Sequence, residues 1–342
     1  MTKMFKSPNK IREPLIYRIR AGLIMMGSAT KAELSQRLGI SFPTISKFLA
    51  QMESDGEVLF TGNDESGGGR PAKRYTYDPE YMLGLAIFIE KNETNYSIFN
   101  CIGEIKEQGI LPSVLQQDAL RLGDLIETLI EKYPKLRSIA IGVPGAVDNL
   151  GKIIFIPPYQ QFLDYDLKEE FESRFQIPVV VENDMNASVL GYASNFEIEN
   201  ESLVYLYFGQ YGPGSGIMIN GDVVRGSTFF SGEISFVPQY DHQSFVQALK
   251  LEENNGGIVL VEDKQIDAIA RLIATFAAIL NPRAVVFCND EVDEAFLAKV
   301  AVRSSSYIPH KHLPTLVISD RNQDYLAGLQ QLALNVMITD CC

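Results

Sequence analysis

Two stretches of this sequence spell out the same succession of elements, and that repeat limits the fold more than any other feature. Residues 83–110, "LGLAIFIEKNETNYSIFNCIGEIKEQGI", read as three strands in antiparallel succession. A helix follows at about 117–132, with Leu122, Leu125, Ile126 and Leu129 on one face, and then the strand "SIAIGV". Further on, "SLVYLYFG", "GSGIMIN" and "DVVRG" give three strands again, with Asn220-Gly221 a two-residue hairpin signal. The helix "KQIDAIARLIATFAAILNP", the strand "AVVFC", a helix, the strand "TLVIS" and a last helix from about Asp324 complete the second cycle. Three strands followed by alternating helix and strand, twice over, predict two α/β lobes with a cleft between them. The exchange falls near 190–200, which gives lobes at 81–195 and 196–342, with the last helix a candidate to cross back.

The repeat leaves residues 1–80 over, and they differ in charge. They carry 12 Lys+Arg against 9 Asp+Glu, whereas the remainder carries 18 against 34. The net charge of −13 argues against nucleic acid only if read globally. Read by segment, it gives an end that attracts a polyanion and a body that repels one. No run of about 18 apolar residues occurs, so no membrane span is expected. "MTKMFKSPNK" lacks an apolar core and a small-residue cleavage site, and the reading is cytoplasmic. The four cysteines show no CxxC or Cys/His metal spacing, which fits a reducing compartment and no metal. The terminal Cys341-Cys342 reads as a frayed tail rather than a lipidation signal.

Within that end, Ile11, Leu15, Ile19 and Leu23 form a helical stripe. "TKAEL" has capping-box spacing, Thr30 to Glu33, and opens a second helix that ends at Gly39. Ser41 suits the N-cap of a third, whose apolar face is Ile45, Phe48, Leu49 and Met52. Ser41, Thr44, Ser46 and Lys47 lie on its outward side, as small hydroxyls and a cation should on a helix entering a major groove. The helices alone fit a helix-turn-helix and a plain three-helix bundle equally. The next segment decides: "EVLF" and "KRYTYD" alternate like strands around "TGNDESGGGRPA", which adds a wing. Glycines let the tip approach a duplex closely. Arg70 is expected to enter a minor groove, and Lys73 and Arg74 to take phosphates. The module is therefore read as a winged helix-turn-helix at 1–80.

In the body, "IGVPGAVDNLGKI" sets a Pro-Gly turn after a strand and before a hairpin, "VENDMNASVLGYA" carries a strand into a helix at Glu182-Asn183-Asp184, and "SGEISF" places Glu233 after a glycine. With "GRPA" ahead of them, these motifs in this order resemble the ROK (repressor, open reading frame, kinase) family over nearly the whole chain, in its regulator branch. The resemblance implies an α/β fold in which a winged helix-turn-helix precedes a two-lobed actin/sugar-kinase-like (ribonuclease H-like) domain. It implies that Asn183, Asp184 and Glu233 bind sugar hydroxyls beside the Pro144-Gly145 turn, Asp184 being the position of the general base in the family's kinases. Carboxylates and amides suit adjacent hydroxyls because they accept and donate hydrogen bonds.

The departures from the family's pattern bear on activity. The kinases' Asp-x-Gly-Gly-Thr phosphate turn is replaced by "AIFIEKNET", with Ala86, Phe88 and Ile89 at its key positions and Glu90 and Glu93 beside them. Bulk and carboxylates there oppose phosphate. The second glycine turn, "FGQYGPGSG", gains Tyr211 and Pro213; Cys288, Asn289 and Asp290 replace the glycines after "AVVF". Phe236 stands where the family has a His, and the zinc cysteines are missing. The expectation is a sugar-responsive, non-enzymatic repressor that needs no cofactor, binds double-stranded operator DNA, takes a sugar or sugar derivative and works as a homodimer or dimer of dimers. The alternatives are an ATP-dependent sugar kinase with an appended DNA-binding module and a DNA-binding scaffold without a ligand.

Overall fold

The structure, a computed structural model, describes residues 15–64, 71–116, 120–209, 212–249, 260 and 262–340. Arg70 and Tyr211 lie outside the described residues.

The N-terminal module comprises α1 (Leu15–Met26), β1 (Ala29–Thr30), α2 (Lys31–Leu38), α3 (Phe42–Ser54), β2 (Val58–Asn63) and β3 (Lys73–Tyr77). The local signals act as their chemistry demands. Thr30 accepts the N–H of Glu33 at 3.2 Å while the Glu33 carboxylate accepts that of Thr30 at 2.8 Å. Such a cap contributes about 1 kcal/mol. Gly39 closes α2 in the left-handed region at φ 65°, where a side chain would be strained. Ser41 caps α3 by accepting the N–H of Thr44. The sheet has three strands in the order β1-β3-β2, not the expected two. Ala29–Thr30 is too short to show any period, and only pairing with Tyr75 and Arg74 makes it a strand.

The first lobe runs through β4 (Leu83–Ile89), β5 (Glu93–Asn100), β6 (Ile105–Pro112), α4 (Leu120–Lys132), β7 (Leu136–Val143), the short hairpin β8 (Ala146–Val147) and β9 (Ile153–Phe155), α5 (Leu167–Phe175), β10 (Val179–Asn183) and α6 (Asp184–Asn195). The second holds β11 (Leu203–Tyr207), β12 (Gly214–Ile219), β13 (Asp222–Val223), α7 (Phe245–Leu249), α8 (Asp263–Ile279), β14 (Ala284–Cys288), α9 (Glu294–Ser304) and β15 (Thr315–Ser319). The sheets read β10-β7-β4-β5-β6 and β13-β12-β11-β14-β15. Numbered within its own lobe, each has the order 3-2-1-4-5, with three antiparallel strands followed by two parallel ones. The repeat read from the sequence is thus a repeat of topology. Asn220 and Gly221 both have positive φ, 50° and 83°, as a tight two-residue hairpin requires.

The last helix, α10 (Arg321–Asp340), follows the final strand of the second sheet but packs on α6, β4, β7 and β10 of the first lobe. It lies so close to α6 that a Cβ on Gly191 would meet the Asp324 carbonyl at 1.7 Å and one on Gly328 the Ala187 carbonyl at 1.9 Å. The other face of α10 joins the N-terminal module. Tyr325, Leu329, Ala333, Leu334, Met337 and Ile338 belong to one continuous core with Ile19, Leu23, Leu34 and Leu49. Among the described residues no helix is long and apolar enough to cross a membrane.

Candidate functional site

Between the lobes lies a pocket of ≈ 100 Å³. One ordered water needs about 10–15 Å³ on the same scale, so the space suits a small polar ligand. The first lobe contributes Pro144 and Gly145 after β7 and Asn183, Asp184 and Asn186 at the β10–α6 junction. The second contributes Gly214 and Ser215 of β12, Arg225, and the loop through Ser231, Glu233 and Ser235. All five residues expected at a sugar site therefore line one cavity.

Their states differ. Asn183 is the N-cap of α6: its Oδ1 accepts the N–H groups of Met185 and Asn186 at 2.9 and 3.0 Å, and its Nδ2 donates to Gly145 O and Asp184 Oδ1, each at 3.0 Å. An amide side chain with two donors and one two-lone-pair acceptor has nothing left to offer a ligand. Expected as a sugar contact, Asn183 works in this structure as a brace between the Pro-Gly turn and α6. Glu182, one residue earlier, is buried and takes Asn186 Nδ2 at 3.0 Å and the Arg225 guanidinium from the other lobe. The Glu233 carboxylate has no hydrogen-bond partner among the described residues. Burial pushes its carboxyl above the ordinary range, and the nearby charge of Asp184 adds to that.

Asp184 meets a cation that its sequence neighbourhood does not reveal. Arg321, the first residue of α10, donates Nη2 to Asp184 Oδ2 at 3.1 Å and Nη1 to Glu90 Oε1 at 3.0 Å. It is 5% exposed and lies 4.0 Å over the ring of Tyr207. Burial pushes the carboxyls of Glu90 and Asp184 upward, and Arg321 pulls both back down. Such an arrangement persists because both carboxylates share one guanidinium; a carboxylate buried alone would be far costlier. Glu291 stands on the same side. It accepts the N–H of Phe208 at 2.9 and 3.1 Å through its two oxygens, and burial pushes its carboxyl up to about 8. Phe88 packs on Tyr325 with ring centroids 5.3 Å apart. The half of the cleft where a phosphate turn would stand thus holds ion pairs and aromatic rings.

Phe236 is 64% exposed, the buried Cys101 follows β5 while the buried Cys288 ends β14, and no metal-holding group of His, Cys, Asp or Glu occurs among the described residues.

In the N-terminal module, Ser41, Thr44, Ser46 and Lys47 occupy the first turns of α3, Ser41 and Lys47 exposed and Thr44 and Ser46 partly so. Phe42, 51% exposed at the start of the same helix, is a feature the sequence reading passed over. Lys73 is exposed, 3.9 Å from Glu53 and over the ring of Phe60. Arg74, read as a phosphate contact, instead turns inward. Its Nε and Nη2 meet the two oxygens of Asp64 at 2.7 and 2.8 Å, Nη2 also reaches Glu33 at 2.9 Å, and Nη1 donates to Ser28 O at 3.2 Å. It ties wing, helix α2 and the turn before β1 together. The physical reason is competition: two carboxylates within the module reach the guanidinium before any phosphate does.

The "ROK family" model matches residues 86–245 of this chain. The xylose repressor of Bacillus subtilis (strain 168) is 26% identical over 220 residues, 60% of this chain and 55% of its own length. The chain spans about half the length of the curated relatives it matches. A solved ROK family transcriptional regulator, described as a homologue of the E. coli Mlc protein, superposes with a TM-score of 0.72 at 17% identity, covering 95% of this chain and 97% of that one. A ROK hexokinase from Thermus thermophilus gives a TM-score of 0.58 at 18% identity over 74% of this chain and 97% of its own. The regulator covers the N-terminal module as well as the body, so the likeness extends to the arrangement of the whole chain.

Proposed function

We propose that this chain is a transcriptional repressor of the cytoplasm that binds operator DNA through its N-terminal module and a sugar through its cleft, without phosphorylating it. The xylose repressor among its relatives and the regulator-like fold support this reading. In the duplex, the first turns of α3 enter the major groove with Ser41, Thr44, Ser46 and Lys47, and Phe42 adds an apolar contact to a thymine methyl. Lys73 takes a phosphate and Arg70 a minor groove, while Arg74 holds the wing in place. A homodimer, or a dimer of dimers, presents two such modules to two half-sites.

The observation that carries the proposal is the course of α10. It begins on the Asp184 carboxylate through Arg321 and continues into the core of the N-terminal module. A sugar hydroxyl that donates to Asp184 competes with Arg321, and a shift of α10 is felt by α1. Asp184 and Glu233, beside Pro144 and Gly145, form the sugar contacts. Coupling of this kind requires that the ligand favour one of two arrangements of the helix. Selection of duplexes from a random pool, followed by mobility-shift titration with and without xylose and related sugars, tests the reading. Retained duplexes whose affinity changes with a sugar support it. A chain that retains no duplex at low ionic strength, or one indifferent to every sugar, overturns it.

The kinase reading keeps one observation, the presence of Asp184 at the family's general-base position. It predicts ADP release with ATP and a sugar that disappears in Asp184→Asn. The repressor reading predicts no release from either protein.

A further inference from the structure

The lining of the pocket is unbalanced in charge and in hydrogen-bonding capacity. Among the described residues its charged side chains are Glu90, Asp184 and Glu233 against Arg225. Arg225 is already paired with Glu182, and Arg321 beneath the pocket is divided between Glu90 and Asp184. No cation of the lining is therefore without a carboxylate. The hydroxyl donors are largely engaged too: Ser235 donates to Pro213 O at 2.8 Å and Ser215 to Gly232 O at 3.3 Å. Asn183 is saturated, and Asn186 donates to Glu182. Among the described residues, the charged groups left unused at the cavity are acceptors, both oxygens of Glu233 and the Glu90 oxygen that Arg321 leaves, with the hydroxyls of Ser231 and Tyr207 beside them. This lining favours a ligand that brings donors and no negative charge.

We propose that the pocket takes an unphosphorylated sugar, neutral or amine-bearing, and excludes phosphate esters, with Glu233 as the selecting charge. The inference rests on the reading of the cleft as a sugar site and narrows its ligand class. Sugar hydroxyls and ammonium groups donate to carboxylates. A phosphate monoester carries close to two negative charges and only acceptor oxygens. Set beside Glu233 and Asp184, it meets like charge in a partly buried site where screening is weak.

Isothermal titration calorimetry on the full chain decides the matter. The probes are glucose, N-acetylglucosamine and glucosamine, each beside its own 6-phosphate. The expected result is that at least one unphosphorylated sugar binds and its 6-phosphate binds at least about tenfold more weakly. In Glu233→Gln that gap narrows, and in the wild-type chain it narrows with rising ionic strength, a readout that needs no variant to fold. An ester that binds more tightly than its parent overturns the inference and leaves the sugar-site reading standing. A gap that neither Glu233→Gln nor salt alters overturns the role given to Glu233. Absence of binding by every probe overturns the sugar-site reading and the inference with it.

Discussion

The two halves of the cleft handle buried charge in opposite ways. On one side, Glu90, Arg321, Asp184, Tyr207 and Glu291 fill the space with partners for one another. On the other, the Glu233 carboxylate stands in an open pocket with no hydrogen-bond partner among the described residues. Charge buried in the filled half is compensated from within the chain, so taking away one member leaves the others exposed to the low dielectric. Charge in the open half waits for a ligand, so taking it away costs the free protein nothing. Stability and binding thus draw on different residues that meet at Asp184, which belongs to both.

The largest expected effect comes from breaking the filled half. Arg321→Met leaves two buried carboxylates without their cation and is expected to cost about 3–5 kcal/mol of unfolding free energy. Urea denaturation measures it, and adding Glu90→Gln to that variant should restore part of the loss. A variant within 1 kcal/mol of wild type, a margin below the ~3 kcal/mol floor for a broken buried pair, would show that the half is not sealed. Next comes the contact that registers Asp184 against Arg321. Gly191→Ala forces a methyl onto the Asp324 carbonyl and should cost about 1–3 kcal/mol, with α10 losing amide protection ahead of the second sheet. Equal protection in both would separate α10 from the site.

A smaller effect sharpens the contrast by pH. The Glu291 carboxyl is held at about 8 in the folded chain against an ordinary 4.5. The folded state therefore keeps a proton that the unfolded state releases, and stability falls as pH rises through that window. Glu291→Gln, whose amide oxygen still accepts from Phe208, should flatten the fall. Parallel profiles for the two proteins would remove Glu291 from the filled half. The smallest effect is expected in the open half: Glu233→Gln leaves thermal stability unchanged or slightly raised, because it removes an unpaired carboxylate beside Asp184. A clear loss of stability would mean that Glu233 has a structural partner after all, and the two halves would no longer differ.

The parts of the molecule legible in the sequence were those whose signal is local. The repeat, the Thr30–Glu33 capping box, the stop at Gly39 and the Asn220-Gly221 hairpin each depend on residues within a few positions of one another. The gathering of Pro144, Gly145, Asn183, Asp184 and Glu233 came from the order of motifs, and the pocket contains all five. Arg74 and Asn183 show the limit. Both carry the right chemistry for a ligand, and both are taken by partners within the protein. Side-chain type states what a group can do, and only packing states whether it remains free to do it.

Sequence alone determined that this chain would form two lobes of one topology behind a cationic module, because turn chemistry, capping and hydrophobic period act over a few residues. Tertiary structure alone decided that Arg321 would sit on Asp184, 137 positions away, and on Glu90, 231 positions away. No local pattern encodes that meeting. It follows from α10 crossing to the first lobe, where glycines let two helices touch and burial makes a lone carboxylate too costly to leave unpaired.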